Sequence, residues 1–441
     1  MLTYIELENF RAFSKRVRID IRPITVLIGK NSSGKSSVLK FLQMLRQTVQ
    51  KREGEFLETT GEHVYLGAWG DLRNKRSRSH YFSCSLGYSG KSSPFMSNIE
   101  VGEGTTGLSI SSTAKMTGGS VVFSDEQSVL DYKISARRYY PAGGARGEHR
   151  IQISQAIDPA DGNPQHKPLF DRKVGSIQGS SFLRIKATSS SPSDVLRNIG
   201  EDMKFIGPAR DWFARVKHLA ATRAEPEQSF QSGSPPIDEV GHNGQYTLAH
   251  LAETLNRKDP ERAFVTKHMA RILHVDNLNA KETIKGLLTR FQARNTDTQA
   301  THWLADFGFG VSQCLPIVVQ GALMNPGELL TVEQPEAQLH PTAQLELGSL
   351  FADLWKTRGV SSIIETHSGN VLLRLRRLIR SGEISPGDVN VAYFHADSGV
   401  TEVSNMTVME DGELDGYLPM EFFGADVFEA LEMNANSPLK S

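Results

Sequence analysis

One short stretch near the amino terminus constrains the fold of this chain more than any other. Residues 26–37 read Val-Leu-Ile-Gly-Lys-Asn-Ser-Ser-Gly-Lys-Ser-Ser, and Gly29 to Ser36 match the pattern G-x-x-x-x-G-K-[ST]. An apolar strand is predicted before this loop and a helix with one apolar face after it, ending near Gln50. Such a unit turns backbone N–H groups and the positive helix end toward a phosphate chain. The alternative is a purely structural Gly/Ser loop.

The residue types in this loop suit the binding of a nucleoside triphosphate with Mg²⁺. Gly29 and Gly34 let the backbone approach the ligand closely. Lys35 would reach the β- and γ-phosphates, and the Ser36 hydroxyl would ligate Mg²⁺. The other predicted contacts of the loop are Lys30, Asn31, Ser32, Ser33 and Ser37.

Composition narrows the class of protein. A chain of 441 residues with 39% hydrophobic and 22% charged residues is expected to form two or three globular units. The net charge of −1 does not indicate nucleic acid as a partner, so a DNA surface would have to be a local patch. Two distant cysteines, Cys84 and Cys314, fit a reducing compartment. No apolar run approaches the ~20 residues that span a bilayer, so a cytoplasmic protein without a membrane partner is expected.

The strand and helix patterns divide the chain into four regions. An ATPase-type core with strand–helix alternation is predicted from residues 1–55 and 300–410, and this alternation indicates a parallel sheet with helices on its faces. Residues 56–190 form a predicted β-rich lobe. Residues 191–299 form a predicted helical insertion, with helical periodicity over 193–220, 247–257 and 259–273. Residues 411–441 form a small carboxy-terminal element.

Residues 329–336, Leu-Leu-Thr-Val-Glu-Gln-Pro-Glu, are typical of a Walker B segment, because an apolar strand ends there in acids. Open α/β sheets place their ligands at the carboxyl edge of the strands. Glu333 is the natural partner of Mg²⁺ at this edge, directly or through water. The alternative is a buried strand that ends in solvated acids.

Two further segments begin helices and contain candidate phosphate contacts. Residues 306–313, Asp-Phe-Gly-Phe-Gly-Val-Ser-Gln, place Gly310 and Ser312 at a second helix start. His367 follows a predicted strand over 361–365 and could touch a γ-phosphate. The alternatives are that Gly310 supplies a turn, that Ser312 caps the helix, and that His367 is a capping or surface residue.

The order of these segments resembles that of ABC-type ATPase heads, a group that includes SMC proteins, double-strand-break repair ATPases and the overcoming-lysogenization-defect (OLD) family. The resemblance implies an α/β fold: an ABC-type P-loop ATPase head with an antiparallel β lobe and a helical insertion. It also implies ATP as the ligand. In these heads the signature helix of one subunit covers the nucleotide held by the P-loop of another, so a homo-oligomer of at least two chains is implied.

The more specific resemblance is to OLD-like AAA/ABC ATPases that lack a fused nuclease. The segments that carry it are residues 8–13, 65–72, 206–210, 308–316, 333–341, 365–368 and the tail over 412–432. Such ATPases often belong to bacterial anti-phage modules such as Septu and PARIS. A separate effector protein, such as a nuclease or a toxin, is therefore implied as a partner.

The chain departs from many ABC-type heads at the usual catalytic base, where Gln334 stands in place of a second acid. An amide can orient water but cannot accept its proton. Slow hydrolysis is expected unless Glu336 or His367 acts as the base, and Glu336 is favoured because it is anionic near Mg²⁺. Three functions remain open: an ATPase switch that controls a defence effector, a non-hydrolysing ATP-held scaffold that sequesters it, and an SMC- or repair-like DNA-maintenance ATPase.

Overall fold

The computed structural model describes most of the amino-terminal segment and nearly all of the chain after residue 238. The described residues are 2–50, 58–67, 69–77, 81–88, 95–102, 118–125, 128–139, 148–157, 165–174, 213–224, 228–231, 238–256, 260–285, 287–397, 399–419 and 422. Most of the helix expected over 193–220, the segment 206–210 and most of the carboxy-terminal element lie outside them.

Eighteen strands and seven α-helices are found in the described residues. The strands are β1 (Leu2–Glu8), β2 (Val17–Asp20), β3 (Ile24–Gly29), β4 (Tyr81–Tyr88), β5 (Phe95–Gly102), β6 (Gly118–Asp125), β7 (Ser128–Tyr139), β8 (Glu148–Ile157), β9 (Gln165–Val174), β10 (Val216–Leu219), β11 (Phe230–Gln231), β12 (Val275–Ile284), β13 (Leu288–Asn295), β14 (Thr301–Trp303), β15 (Leu329–Glu333), β16 (Ser361–Glu365), β17 (Val389–Asp397) and β18 (Val400–Thr407). The helices are α1 (Lys35–Gln50), α2 (Trp69–Leu72), α3 (Thr247–Asn256), α4 (Pro260–Leu273), α5 (Phe309–Leu323), α6 (Pro341–Arg358) and α7 (Gly369–Arg380). Short 3₁₀ helices cover Leu304–Phe307 and Pro386–Asp388.

The chain divides into two compact units, and each is described by itself. The first unit contains Met1–Ile21, Asn31–Val216 and Phe394–Ser404. The second unit contains Arg22–Lys30, Lys217–Tyr393 and Asn405–Ser441. The sequence predicted four regions, and the two compact units do not correspond to them one to one. The four-region division therefore stays a prediction.

An antiparallel sheet of eight strands dominates the first unit, in the order β2-β1-β4-β5-β6-β7-β8-β9. Leu7 of β1 is the register partner of Val17 on one side and of Cys84 on the other. The ring of Phe10 packs against Phe41 of α1 and Phe82 of β4, at centroid distances of 5.5 and 5.2 Å. Each buried aromatic side chain contributes about 1.5–3 kcal/mol, so this cluster fixes α1 against the sheet.

The second unit contains β15, β16 and all but the last residues of β17, which belong with β3 to a six-stranded sheet in the order β10-β15-β16-β3-β17-β18. Strands β15, β16 and β3 run parallel, with Thr331 paired to Ile363 and Ile363 paired to Thr25. Every residue of β3 and β16 is buried, as expected for a parallel sheet covered on both faces. The predicted α/β fold with a parallel sheet is therefore confirmed. Because these strands are parallel, their carboxyl ends open at one edge.

The predicted helices of the second unit are confirmed, but the region before residue 303 also contains strands that were not predicted. Helices α3 and α4 lie where helices were expected, over 247–257 and 259–273. After them, β12 and β13 pair antiparallel, and β11 and β14 extend the sheet. The end of the helix expected over 193–220 is instead β10, whose burial beside β15 overrides local propensity.

Candidate nucleotide-binding site

The P-loop (residues 29–36) connects a buried strand to a long helix, as predicted. Strand β3 ends at Gly29, and α1 begins at Lys35. The backbone is in the left-handed region at Ser32 (φ 62°) and Gly34 (φ 103°). The N–H of Ser37 donates to the carbonyl oxygen of Gly34 at 2.9 Å. A chain that alternates in this way curls its N–H groups inward and forms a concave site for an anion.

Gly34 is required by space as well as by backbone conformation. A Cβ at this position would lie 2.9 Å from Cβ of Ala12 and 2.9 Å from Cε1 of Phe13. Real Cβ atoms do not approach other atoms that closely, and a φ of 103° also strains any L side chain. The loop therefore rests directly on the turn that contains Ala12 and Phe13.

The side chains of the P-loop divide into an exposed and a buried set. Lys35 is only 3% exposed, and Ser33 and Ser37 are also buried. The exposed residues are Lys30, Asn31 and Ser32, and Ser36 is half-buried. The Ser33 Oγ has no hydrogen-bond partner among the described residues. A buried lysine and a buried hydroxyl at a helix start suit the binding of phosphate oxygens.

In the second unit, the carboxyl ends of β15, β16 and β3 bring two acids to one sheet edge. Glu333 is the register partner of Glu365, and Glu365 is the register partner of Leu27. Gly29, the first residue of the P-loop, lies two positions beyond Leu27 on β3. Glu333 is half-buried and Glu365 is 4% exposed. The predicted Walker B strand and the strand that leads into the P-loop therefore end at the same edge. Glu365 was not predicted as a site residue, although its place at a strand end was the available signal.

The Glu333 carboxylate is surrounded by the segment that carries β10. The N–H of Ala221 donates to its Oε2 at 3.4 Å, and His218 Nε2 lies 3.9 Å from its Oε1. The Thr331 hydroxyl donates to the carbonyl oxygen of Lys217 at 3.1 Å, so it accepts the Nδ1–H of His218 at 2.8 Å. This arrangement turns Nε2 of the buried His218 toward Glu333. Sequence reasoning missed His218 because it predicted a helix here.

Arg223 is a second residue that sequence reasoning missed. It is 4% exposed, and its Nη2 donates to the carbonyl oxygen of Glu333 at 2.8 Å. Its Nη1 lies 3.3 Å from both the carbonyl oxygen of Gln334 and Oε1 of Gln313. Burial lowers the pKa of Arg223 to about 10, against the opposing influence of Cys314, Glu336 and Glu333. The side chain is therefore still a cation at neutral pH.

The Walker B turn (residues 334–338) follows Glu333 and holds two of the predicted catalytic residues. Gln334 has a left-handed backbone (φ 43°), and its N–H donates to the carbonyl oxygen of Glu365 at 2.7 Å. Glu336 Oε1 accepts the backbone N–H of His367 at 2.7 Å. Its Oε2 is buried and has no hydrogen-bond partner within the described part of the chain. The side chain of His367 is exposed. Glu336 and His367 thus meet at the sheet edge, and their catalytic roles stay predictions.

The second helix start (residues 308–312) also has the predicted helix, which begins at Phe309 after Gly308 with φ 83°. Phe309 is 57% exposed and Gly310 is half-exposed. Ser312 is buried, and its Oγ has no hydrogen-bond partner among the residues that the structure describes. Ser312 lines a cavity of about 50 Å³ together with Phe291 and Pro316. The exposed part of this helix start is therefore Phe309 and Gly310.

The predicted Mg²⁺ ligands are oxygen donors, which suit a hard cation that also binds phosphate and water. Ser36 belongs to the first unit and Glu333 to the second, so their joint role as ligands remains a prediction. Among the described residues, no group of three or more His, Cys, Asp or Glu side chains could hold a metal ion. The helices of the described ranges are all too short or too polar to cross a membrane.

Comparisons with known proteins agree with a P-loop ATPase. Residues 1–79 match the family model described as AAA ATPase domain. No curated protein matches the chain. Among solved structures, the SMC head domain from Thermotoga maritima is similar with a TM-score of 0.40 and 10% identity, covering 91% of this chain and 98% of that chain. An Smc head domain with an extended coiled coil, bound to the C-terminal domain of ScpA derived from Pyrococcus furiosus, is similar with a TM-score of 0.40 and 9% identity. This likeness covers 98% of this chain and 99% of that chain.

TM-scores of this size carry no inference about this chain. The strand–loop–helix geometry of residues 24–50, the parallel sheet and the match of residues 1–79 are the observations that count. Together they support a P-loop ATPase whose residues 1–79 resemble the AAA ATPase domain.

Proposed function

We propose that this protein is an ATP-dependent switch. Two copies would pair through composite nucleotide sites, and the paired state would control a separate effector protein. The observation that carries the proposal is the geometry around β3. This strand enters a left-handed P-loop, and the neighbouring strands end in Glu333 and Glu365 at the same edge. Nucleotide-binding α/β proteins place their ligand at such an edge.

ATP binding is assigned to the P-loop residues. The N–H groups of the curled backbone and the start of α1 would bind the phosphates, and the buried Lys35 would supply a positive charge. Ser36 and Glu333 would hold Mg²⁺. When bound, this ion would neutralise negative charge on the phosphates. Gly34 is essential to this arrangement because the loop packs against Ala12 and Phe13.

Hydrolysis is assigned to the Walker B turn. The main-chain N–H of His367 anchors Oε1 of Glu336, and the buried Oε2, which has no hydrogen-bond partner among the described residues, would accept the proton once the attacking water reaches it. Gln334 would orient that water without taking its proton. Because a positioned base contributes typically ~10²–10⁴-fold, Glu336 would carry most of the turnover of a slow enzyme.

Pairing is assigned to the second helix start. Phe309 and Gly310 are accessible there, and a helix N-terminus favours negative charge. In the pair, this helix start would cover the nucleotide that the P-loop of the other copy holds. ATP would then hold the two copies together, and hydrolysis would release them.

The effector assignment depends on the resemblance to OLD-like ATPases. A separate nuclease or toxin in an anti-phage module is the partner that this resemblance favours. The scaffold alternative is favoured by one specific observation, since Gln334 cannot act as a base. A DNA-maintenance role would require a local basic surface, because the net charge is −1.

Steady-state phosphate release from the purified protein and from Glu336→Gln tests the proposal. We expect slow turnover in the wild type, an ~10²–10⁴-fold lower rate in the variant, and retained ATP binding in both. Glu383→Gln changes an exposed acid of the same unit and is the matched control. Tight ATP binding without wild-type turnover would favour the scaffold. Stimulation of turnover by DNA that disappears with added salt would favour DNA maintenance.

A further inference from the structure

We propose that Arg223 is a positioning residue that couples the second helix start to the Walker B turn. It would make ATP hydrolysis depend on the pairing of two copies. This inference rests on the proposed function, in which the second helix start covers the partner's nucleotide.

The guanidinium group of Arg223 joins three parts of the second unit. Nη2 donates to the carbonyl oxygen of Glu333 at the end of β15. Nη1 reaches the carbonyl oxygen of Gln334 and the side-chain oxygen of Gln313, each at 3.3 Å. Gln313 is the fifth residue of α5 and directly follows Ser312. One side chain therefore contacts both the helix that would cover the nucleotide and the turn that holds Glu336.

The acceptors of Arg223 are neutral, which is unusual for a buried cation. No carboxylate oxygen of the described residues lies within 4.0 Å of its nitrogens, and Nε has no hydrogen-bond partner among them. A buried charge without an ion pair lowers stability unless its hydrogen bonds offset the loss of water. The role that we assign to this charge is to hold the carbonyl groups of Glu333 and Gln334 in place.

The contacts of Nη1 are long and divided, which makes them sensitive to small movements. This nitrogen is shared by Gln313, Gln334 and the carbonyl oxygen of Ala221 at 3.3–3.4 Å, whereas Nη2 has a single contact at 2.8 Å. A shift of Gln313 with the beginning of α5 would therefore change how strongly Nη1 of Arg223 binds the carbonyl oxygen of Gln334.

The Gln334 peptide is the start of the turn that carries Glu336. Gln334 has a left-handed backbone, a conformation that persists in a non-glycine residue only when its surroundings hold it. Glu336 in turn is anchored to the N–H of His367. Loss of the Arg223 contact would let this turn relax and move the carboxylate of Glu336. Closure of the second helix start over a nucleotide would thus be transmitted to the catalytic base.

The test compares wild type, Arg223→Lys, Gln313→Ala and the double variant, with Arg294→Lys as control. Arg294 forms a two-point ion pair with Asp276 in the same unit and has no contact with the turn. ATP affinity, ATP-dependent pairing by sedimentation, kcat, and hydrogen exchange of residues 334–339 are measured for each. We expect ATP affinity and pairing within about threefold of wild type and a kcat at least about tenfold lower in each variant. The double variant should be no slower than the slower single one.

Hydrogen exchange supplies a readout that does not need turnover. In the wild type, ATP-dependent pairing should change the exchange of residues 334–339, and in Arg223→Lys and Gln313→Ala this change should be lost while pairing remains. Variants that pair and then match the wild type in both kcat and exchange would overturn the coupling and leave the proposed function intact. A wild type that neither binds ATP nor pairs would overturn both. If Arg223→Lys does not fold, Gln313→Ala decides alone, since it leaves the guanidinium in place.

Discussion

Two helix starts in this molecule differ in how much of a phosphate site one copy of the chain builds. At α1, the backbone is left-handed at Ser32 and Gly34, and Lys35 is buried in the loop. At α5, only Gly308 is left-handed immediately before the helix, Phe309 is 57% exposed, and no basic side chain lies in residues 308–312. The first start has the parts of a phosphate site. The second has a helix terminus and an exposed surface.

The difference predicts that the two helix starts have separate roles in nucleotide binding and in pairing. The P-loop should bind nucleotide in a single copy, because its N–H groups, lysine and hydroxyls lie within one chain segment. The second helix start should contribute only when a ligand is brought to it by another copy. Substitutions at the start of α1 should therefore remove ATP binding. Substitutions at the start of α5 should remove the pairing of two copies and leave ATP binding to the single chain intact.

The largest effect is expected from Lys35→Ala. Two charge-assisted hydrogen bonds to the phosphates, at about 1.5–3 kcal/mol each, correspond to an ~10²–10⁴-fold loss of ATP affinity. Titration of each protein with ATP and Mg²⁺ in a calorimeter measures this loss. Lys40→Ala, on the same helix, is the control and should bind as the wild type does. Equal affinity in Lys35→Ala and wild type would show that the P-loop is not the nucleotide site.

A smaller effect, confined to pairing, is expected from Gly310→Asp. A Cβ at Gly310 would meet no atom closer than 3.4 Å, the distance to Cδ2 of Leu339, so the variant should fold. Its carboxylate would face the phosphates bound by the other copy, and such like-charge contacts cost several kcal/mol. ATP-dependent pairing should weaken by about 10²-fold or more, with ATP affinity of the single chain unchanged. Sedimentation velocity measures the pairing, and Gly310→Ala is the control. Loss of pairing in Gly310→Ala as well would point to packing instead of charge.

The smallest effect concerns the contact between α4 and α6 in the second unit. Asp353 of α6 accepts a hydrogen bond from Lys267 of α4 and lies 3.1 Å from Nε2 of the buried His268. Burial raises the pKa of Asp353, but the close approach of His268 and the hydrogen bond from Lys267 lower it more, to about 2. Because the folded-state pKa is below the unfolded value of ~3.9, the stabilisation is present above pH 4. It is lost as the pH falls from about 4 toward 2.

Asp353→Asn should therefore lower the free energy of unfolding at pH 7 by about 1 kcal/mol, after allowance for solvent screening. It should also reduce the loss of stability between pH 4 and pH 2. Urea unfolding at these pH values measures both quantities. Asp297→Asn removes a mostly exposed acid of the same unit and is the control. An unchanged acid dependence in Asp353→Asn would show that this carboxylate does not brace the helices.

The parts of the fold that were predictable from the sequence are those that local periodicity and spacing determine. The helix after the P-loop is found over Lys35–Gln50, close to its predicted extent, and β16 covers the expected residues 361–365. The strand β10 could not be predicted in this way, because four residues acquire strand geometry only by pairing with β15, more than 100 positions later. For the same reason, Arg223 and His218 were not predicted as site residues.

The antiparallel pair β12 and β13 did leave a signal in the sequence. Phe291 and Ala293 are buried and alternate with more exposed neighbours, which is the two-residue period of a strand. The nearby helical pattern of α3 and α4 outweighed it. The catalytic assignments have a different status. Spacing predicted which residues meet at the sheet edge, and only kinetics can assign a proton acceptor.

The most direct test of the composite site is to mix two inactive chains, Lys35→Ala and Gly310→Asp. Each should fail to pair on its own in the presence of ATP and Mg²⁺, the first for lack of bound nucleotide and the second for lack of a covering helix start. Mixed together, they should form a one-to-one pair, detected by native mass spectrometry, that contains a single ATP held by the Gly310→Asp chain. Wild-type pairs that contain ATP, with no mixed pair under the same conditions, would contradict a nucleotide shared between two copies.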